Sequence, residues 1–228
     1  VLLYTILVVG AADVIHVLLK RSKKINQEKL RSFKVFVASG IICAVGIAVL
    51  SIWGMVNAGN IRTTKYEAVI DKKAGNLKQM KVVMAADLHM GYNIGCEHIQ
   101  KMVEKINAQE PDLVVFAGDI FDNEYEALED PKKLINILKG IKSKYGVYAC
   151  YGNHDIKEKI LAGFTFGGSQ KKESDIRMDE FLKEAGITLL RDESVLIGDS
   201  VYLYGRPDRQ RPGRDIKTRK TPEEITAG

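Results

Sequence analysis

The stretch from Val35 to Asn57, VFVASGIICAVGIAVLSIWGMVN, carries no charged residue over 23 positions. Such a run has few folding options. At about 1.5 Å of rise per residue, roughly twenty apolar residues in a helix cross the ~30 Å hydrocarbon core of a bilayer. Core helices of soluble domains seldom run so far without a charge. Gly40, Gly46 and Gly54 are of a kind common in membrane helices, and Trp53 falls near one end, where indole side chains settle at the interface. The run predicts a membrane helix over about residues 35–57.

A second candidate span covers Val1 to Leu19, apolar except for Asp13 and His16. These two are three residues apart and share a helix face, where they either mark a functional site or pair with each other or with a neighbouring helix near the interface. Between the runs lies KRSKKINQEKLRSFK, residues 20–34, with Lys20, Arg21, Lys23, Lys24, Lys29, Arg31 and Lys34 against Glu28 alone. Basic loops stay in the cytoplasm. The expectation is therefore a multi-pass membrane segment over 1–57 and a soluble domain over 58–228 on the extracytoplasmic side of the cell membrane. The chain starts at Val1 rather than Met, and Thr221-Pro222-Glu223-Glu224 reads as a helix opening shortly before Gly228. Both ends are expected to be fragment boundaries.

The soluble part alternates short apolar runs with helix-like stretches. Tyr66–Ile70 alternates and predicts a strand. Lys81–Ala86 (KVVMAA), Leu113–Ala117 (LVVFA) and Val147–Tyr151 predict strands buried on both faces. Between them, Ile99, Met102, Val103 and Ile106 recur at helical spacing, as do Leu134, Ile135, Ile137, Leu138 and Ile141 behind Pro131. Strand, helix, strand, helix, strand predicts parallel pairing with right-handed crossovers. Phe181 and Leu182 belong to a short helix ending at Gly186, and Ile187–Leu190, Val195–Ile197 and Val201–Tyr204 predict a second, partly antiparallel sheet. Lys171–Asp175, after Gly167-Gly168, reads as a solvated loop.

The net charge of +5 is modest and sits in short clusters, which gives no indication of a nucleic-acid partner. Cys43 lies in an apolar run, Cys96 in a predicted loop and Cys150 at a strand end, with no spacing that suggests a zinc motif or a disulfide framework.

The chemistry lies where the predicted buried strands stop. Asp87-Leu88-His89 follows the first, Gly118-Asp119-Ile120-Phe121-Asp122 the second, and Gly152-Asn153-His154-Asp155 the third. Ligands gather outside the carboxyl ends of parallel strands, so the three clusters should converge on one spot. Carboxylate, imidazole and amide oxygen together suit manganese, iron or zinc. Asp87 and His89 can share one ion, Asp119 has two oxygens and can bridge two, and Asn153 offers a neutral oxygen to the second. Gly118 and Gly152 remove side chains where the backbone turns beside the metals. Two ions about 3.5–4 Å apart can clamp a phosphoryl group and activate a hydroxide between them.

These motifs resemble the calcineurin-like metallophosphoesterase family, whose pattern runs Asp-x-His, Gly-Asp-x-x-Asp, Gly-Asn-His-Asp/Glu, a single His, and Gly-His-x-His. Residues 80–155 carry the first three. The resemblance implies an α/β fold of the α+β type: a two-sheet β-sandwich flanked by helices. It implies two divalent metal ions, manganese being the first choice. Asp87 and His89 would bind one ion, Asp119 would bridge, and Asn153 would bind the other. His154 would stand near the leaving-group oxygen as acid or stabiliser, Asp155 would orient His154, and Asp122 would be structural or lie behind the ligands. The spans together with this domain are similar to membrane-anchored bacterial members of the family, and Gly205-Arg206-Pro207-Asp208 loosely resembles a late strand-end segment of that subgroup.

The last two histidine elements of the pattern are absent, because the chain's histidines are His16, His89, His98 and His154. His98 reads as an exposed helix residue, and the expectation is that the remaining ligands lie beyond Gly228. The basic cluster Arg206, Arg209, Arg211, Arg214, Lys217, Arg219 and Lys220 is either a solvated loop or a phosphate-binding or lipid-binding lid. The sequence thus predicts hydrolysis of phosphate mono- or diesters, the substrate being derived from lipid, cell wall or nucleotide. The competing reading is a catalytically inactive, membrane-anchored binding or sensing domain on the same fold.

Overall fold

The computed structural model describes residues 9–11, 13–15, 17–18, 27–156, 160–161, 164–165, 174–211 and 213–227. The chain divides into two compact units, Val1–Arg62 and Thr63–Gly228.

In the first unit, the backbone is helical at 9–11, 13–15 and 17–18, and helix α1 runs from Gln27 to Ala58. Within it, Phe33–Ala58 is 26 residues long with a mean hydropathy of 2.6. At 1.5 Å per residue that is about 39 Å, long and apolar enough to cross a bilayer. The expected basic loop is shorter than 20–34, because residues 27–34, carrying Lys29, Arg31 and Lys34, are already helical. Lys20, Arg21, Lys23, Lys24 and the expected His16 partner of Asp13 lie outside the described residues.

The second unit is built on a parallel sheet of four strands: β1 (Val82–Ala85), β2 (Leu113–Ala117), β3 (Val147–Cys150) and β6 (Ile187–Leu189), in the order β1-β2-β3-β6. Helix α2 (Cys96–Asn107) connects β1 to β2 and α3 (Pro131–Leu138) connects β2 to β3, while α4 (Ile176–Glu184) precedes β6. The strands follow one another in a single direction across the sheet. Crossovers of one hand therefore lay all three helices on the same face. In register, Val83, Val114, Val147 and Ile187 form one row toward the helices, and Ala85, Phe116, Ala149 and Leu189 form the next. Ile99, Met102, Val103 and Ile106 of α2, Leu134, Ile135 and Leu138 of α3, and Met178, Phe181 and Leu182 of α4 are buried. Each such side chain stabilises the fold by roughly 1.5–3 kcal/mol on full burial.

The helices start where the sequence supplies caps. Asp130 accepts a hydrogen bond from the Lys133 N–H ahead of Pro131, and Asp175 accepts from Arg177 N–H. Helix α3 stops at Leu138, so Ile141 lies beyond it. Cys96 opens α2 rather than lying in a loop, and its N–H donates to Glu129 Oε2 at 2.7 Å. Of the predicted solvated loop, residues 171–173 lie outside the described residues, and Ser174 is buried.

Three strand expectations are corrected. Tyr66–Ile70 forms no strand and is exposed, Val69 being 91% accessible. Its alternation suits a half-buried strand, but among the described residues no strand pairs with it, so its backbone groups face solvent instead of a ladder. The first sheet strand is not buried on both faces, since Val82 and Met84 are 48% and 68% exposed on the side away from the helices. Ile187–Leu189 joins β3 in the parallel sheet instead of the second sheet. The antiparallel element is the hairpin of β7 (Glu193–Ile197) and β8 (Val201–Gly205), turned by Gly198 and Asp199, both at positive φ. A short antiparallel pair, β4 (Ile160–Leu161) with β5 (Phe164–Thr165), follows β3. Helix α5 (Pro222–Thr226) opens on a capping box between Thr221 and Glu224, as its sequence predicts.

Candidate metal centre

The segments leaving β1 and β2 stay zipped together beyond the sheet. Asp87 N–H donates to Gly118 O at 3.2 Å, His89 N–H to Asp119 O at 3.0 Å, and Met90 N–H to Ile120 O at 2.9 Å. Asp122 N–H returns a bond to Met90 O at 3.1 Å. The apolar members of this ladder, Met90, Ile120 and Phe121, are buried and anchor it to the core. Its polar members turn outward. Asp87, His89 and Asp119 all adopt positive φ, at 53°, 46° and 50°. Asp and His tolerate this region better than most residues, yet each instance costs about 1–3 kcal/mol and persists only where surrounding structure enforces it.

The loop after β3 packs against this ladder at van der Waals contact. A Cβ at Gly152 would sit 2.3 Å from Asp119 Oδ1 and 2.6 Å from Asp119 N. One at Gly118, whose φ is 83°, would sit 3.0 Å from Gly152 Cα. The two glycines let the loops touch. In the space so opened, His154 N–H donates to Asp119 Oδ1 at 2.8 Å, and the second carboxylate oxygen of Asp119 can serve as a ligand atom.

Asp155 does something other than the expected task of orienting His154. Fully buried, its carboxylate accepts from Phe121 N–H at 2.8 Å and from Gly152 N–H at 2.7 Å, clamping the β2 loop to the β3 loop. Burial pushes its pKa up to about 7, against the pull of backbone N–H bonds from Phe121, Gly152 and Ile120. The group on the His154 ring is Asn123: its Oδ1 is 2.9 Å from His154 Nδ1, and its Nδ2 donates to Ile156 O at 3.3 Å. Asn123 is buried and at positive φ (61°), and its N–H donates to His154 O at 3.1 Å. It follows Asp122 directly, and nothing in the motif spacing singled it out.

The ligand atoms of Asp87, His89 and Asp119 lie within 4.8 Å of one another, and so do those of His89, Asp122 and His154. With bonds near 2.1 Å, opposite ligands of one ion stand about 4.2 Å apart, so the groups fit a divalent ion after shifts of about half an ångström. Asp122, expected to be structural or to lie behind the ligands, reaches the site: its Oδ1 is 3.8 Å from His89 Nδ1. The His89 and His154 rings meet edge-on at 5.0 Å between centroids. His98, half-buried in the first turn of α2, belongs to neither group. Asn153 occupies the turn between Gly152 and His154, and its backbone carbonyl accepts from Arg211 Nη1 at 3.2 Å.

That last bond belongs to the basic segment. Arg206 donates to Lys220 O and Arg219 to Pro207 O, both at 3.2 Å, and Arg214 donates to Ser174 O at 2.5 Å. Guanidinium-to-carbonyl bonds thus give a segment expected as a loop a defined course past the site.

The profile of the calcineurin-like phosphoesterase family matches residues 80–227. A Danio rerio transmembrane protein with metallophosphoesterase domain is 30% identical over 170 residues, which cover 72% of this chain and 36% of that protein. An uncharacterized metallophosphoesterase of Campylobacter jejuni is 34% identical over 110 residues, covering 48% of this chain and 28% of that one. The UDP-2,3-diacylglucosamine pyrophosphatase LpxG of Chlamydia trachomatis is 30% identical over 95 residues, covering 42% of this chain and 28% of that one. The chain spans about a third of the length of these curated relatives. The matched region takes in all three strand-end motifs and the sheet that carries them, and the chain belongs to the calcineurin-like phosphoesterase family.

Proposed function

We propose that the chain carries the catalytic domain of a membrane-anchored phosphoesterase that uses two divalent metal ions, manganese first, and works outside the cytoplasm. The observation that carries this reading is the convergence of Asp87, His89 and Asp119, from two strand ends, on ligand distances within 4.8 Å. Asp87 and His89 would hold one ion, Asn153 the other, and Asp119 would serve both. Ions there would supply Lewis-acid charge to phosphoryl oxygens and activate water. The remaining work belongs to the protein. Because Asn123 Nδ2 donates to Ile156 O, its Oδ1 is the atom facing His154, and Nδ1 must carry a proton. The Nε2 atom is then the one that handles the leaving-group proton. Asp155 keeps the β2 and β3 loops in register so that Asp119 and Asn153 stay together.

The long apolar helix and the relatives named as transmembrane proteins support membrane association. An anchored site meets substrates that the bilayer presents, so a lipid-derived phosphate ester or diphosphate is the favoured class. The Chlamydia relative, named for a diacylated nucleotide sugar, agrees with that choice. The test is hydrolysis of bis(p-nitrophenyl) phosphate by the full-length protein with manganese, with chelator, and with Asp119→Ala. Activity should require the metal and vanish in the variant. Metal binding without hydrolysis of any phosphoester would favour the binding or sensing domain, and turnover that survives chelation would overturn the metal mechanism.

A further inference from the structure

We propose that Arg211 is a positioning residue for the peptide group joining Asn153 to His154, and through it for the second metal ion. The inference rests on the metal-centre reading above. That peptide group is held at both edges. Its N–H, from His154, donates to Asp119 Oδ1 at 2.8 Å, and its carbonyl, from Asn153, accepts from Arg211 Nη1 at 3.2 Å. On one side of it lies the side chain assigned to the second ion, and on the other the imidazole assigned to the leaving group. A rotation of this one plane would move both. Asp119 fixes the N–H edge from within the metal cluster, and Arg211 fixes the carbonyl edge from 58 residues away in sequence.

Arg211 can do this because its own position is determined. Asp208 Oδ1 accepts from Gln210 N–H and from Arg211 N–H, both at 2.8 Å, closing a turn just after β8. The turn is rooted at Gly205, where a Cβ would meet Leu190 Cβ at 2.1 Å, and at Pro207, whose carbonyl accepts from Arg219 Nη1. A guanidinium on the carbonyl also polarises the peptide and makes the His154 N–H a stronger donor to Asp119, since bonds in a chain reinforce one another. A flexible surface arginine would offer neither effect. Partners that orient the ligands of a metal typically change affinity or activity about ten- to a hundred-fold when removed.

The experiment is manganese titration of the full-length protein, followed by calorimetry and by the electron paramagnetic resonance signal of spin-coupled manganese pairs. Arg211→Met should weaken the second ion about ten- to a hundred-fold, abolish the coupled signal at limiting metal, leave the first ion's affinity within about two-fold of wild type, and lower kcat more than it raises KM. Arg211→Lys, which keeps one charged donor, should recover part of the loss. Arg209→Met, exposed in the same turn, should behave as wild type. Asp208→Ala, which removes the acceptor holding the Arg211 backbone, should reproduce a weaker form of the defect and stands in if Arg211→Met does not fold. Two ions of wild-type affinity and an unchanged coupled signal in Arg211→Met or in Asp208→Ala would overturn the proposal alone. A wild-type protein that binds fewer than two ions would overturn the metal-centre reading, and this proposal with it.

Discussion

Asn123 Oδ1 lies 2.9 Å from His154 Nδ1, and Asn123 N–H donates to His154 O at 3.1 Å, so one buried residue grips both the ring and the backbone of the same histidine. Replacing Asn123 by Leu removes the acceptor and leaves Ile156 O without its bond, for a stability loss of about 1–3 kcal/mol. The ring then loses its tautomer. Because an acid matters most when the leaving group is poor, kcat should fall about ten- to a hundred-fold on alkyl phosphodiesters and much less on nitrophenyl esters. Equal losses on both substrates would mean that the Asn123–His154 pair does not govern proton delivery.

Gly152 should tolerate no side chain. In Gly152→Ala the new methyl would overlap Asp119 Oδ1 and N, at 2.3 and 2.6 Å, and neither atom can retreat without breaking the His154 N–H bond or the metal cluster. Overpacking of this kind costs about 1–3 kcal/mol. Urea denaturation should register that loss, and manganese titration of the same variant should show a weaker first ion. A neutral effect on both would mean that the β2 and β3 loops are less tightly joined than their geometry indicates.

The motifs and the helix faces could be read from residue order because both are local. Ile99, Met102, Val103 and Ile106 repeat at a helical period, and all four are buried. The metal-ligand types stand directly after runs that are indeed strands. What escaped the sequence was decided by partners distant along the chain. Whether Ile187–Leu189 pairs with β3 or with β7 depends on where α4 lays it down, and three residues of apolar sequence suit either neighbour. Met84 reads as buried, yet its exposure follows from all three helices lying on the opposite face of the sheet. The family resemblance implied that Asp155 orients His154, whereas the side chain on the His154 ring is that of Asn123, 31 residues earlier. Arg211 gave no local signal, since its contact with Asn153 arises only when the segment after β8 passes the site.

Asp155→Asn separates the clamp from the chemistry. The amide keeps the shape of the carboxylate but turns one acceptor into a donor, which then faces a backbone N–H of Phe121 or Gly152 across less than 3 Å. Burying that mismatch should cost about 1–3 kcal/mol. Because Asp155 does not bond the His154 ring, the preference between alkyl and nitrophenyl substrates should stay as in wild type, in contrast to Asn123→Leu. A shift in leaving-group preference in Asp155→Asn would return to Asp155 the orienting part now given to Asn123.

The orientation in the membrane makes the last prediction. The uncharged run Val35–Asn57 is preceded by Lys20, Arg21, Lys23, Lys24, Lys29, Arg31 and Lys34 with only Glu28 opposing them. After it come Arg62, Lys65, Lys72 and Lys73, offset by Glu67 and Asp71. Lys and Arg within about 15–20 residues of a span set its direction, and acidic residues count for little. Seven basic residues before the run outweigh four after it, which predicts the N-terminal flank in the cytoplasm and the domain from Thr63 onward outside. In intact cells, Lys24→Cys should be shielded from a membrane-impermeant maleimide and should react only after permeabilisation. Lys132→Cys, exposed on α3, should react in both conditions. Cys96 is buried and Cys43 lies within the span, so labelling is scored against the parent protein to remove any reaction at Cys150. The reverse pattern would place the domain in the cytoplasm and restrict its substrates to those of the inner leaflet and the cytosol.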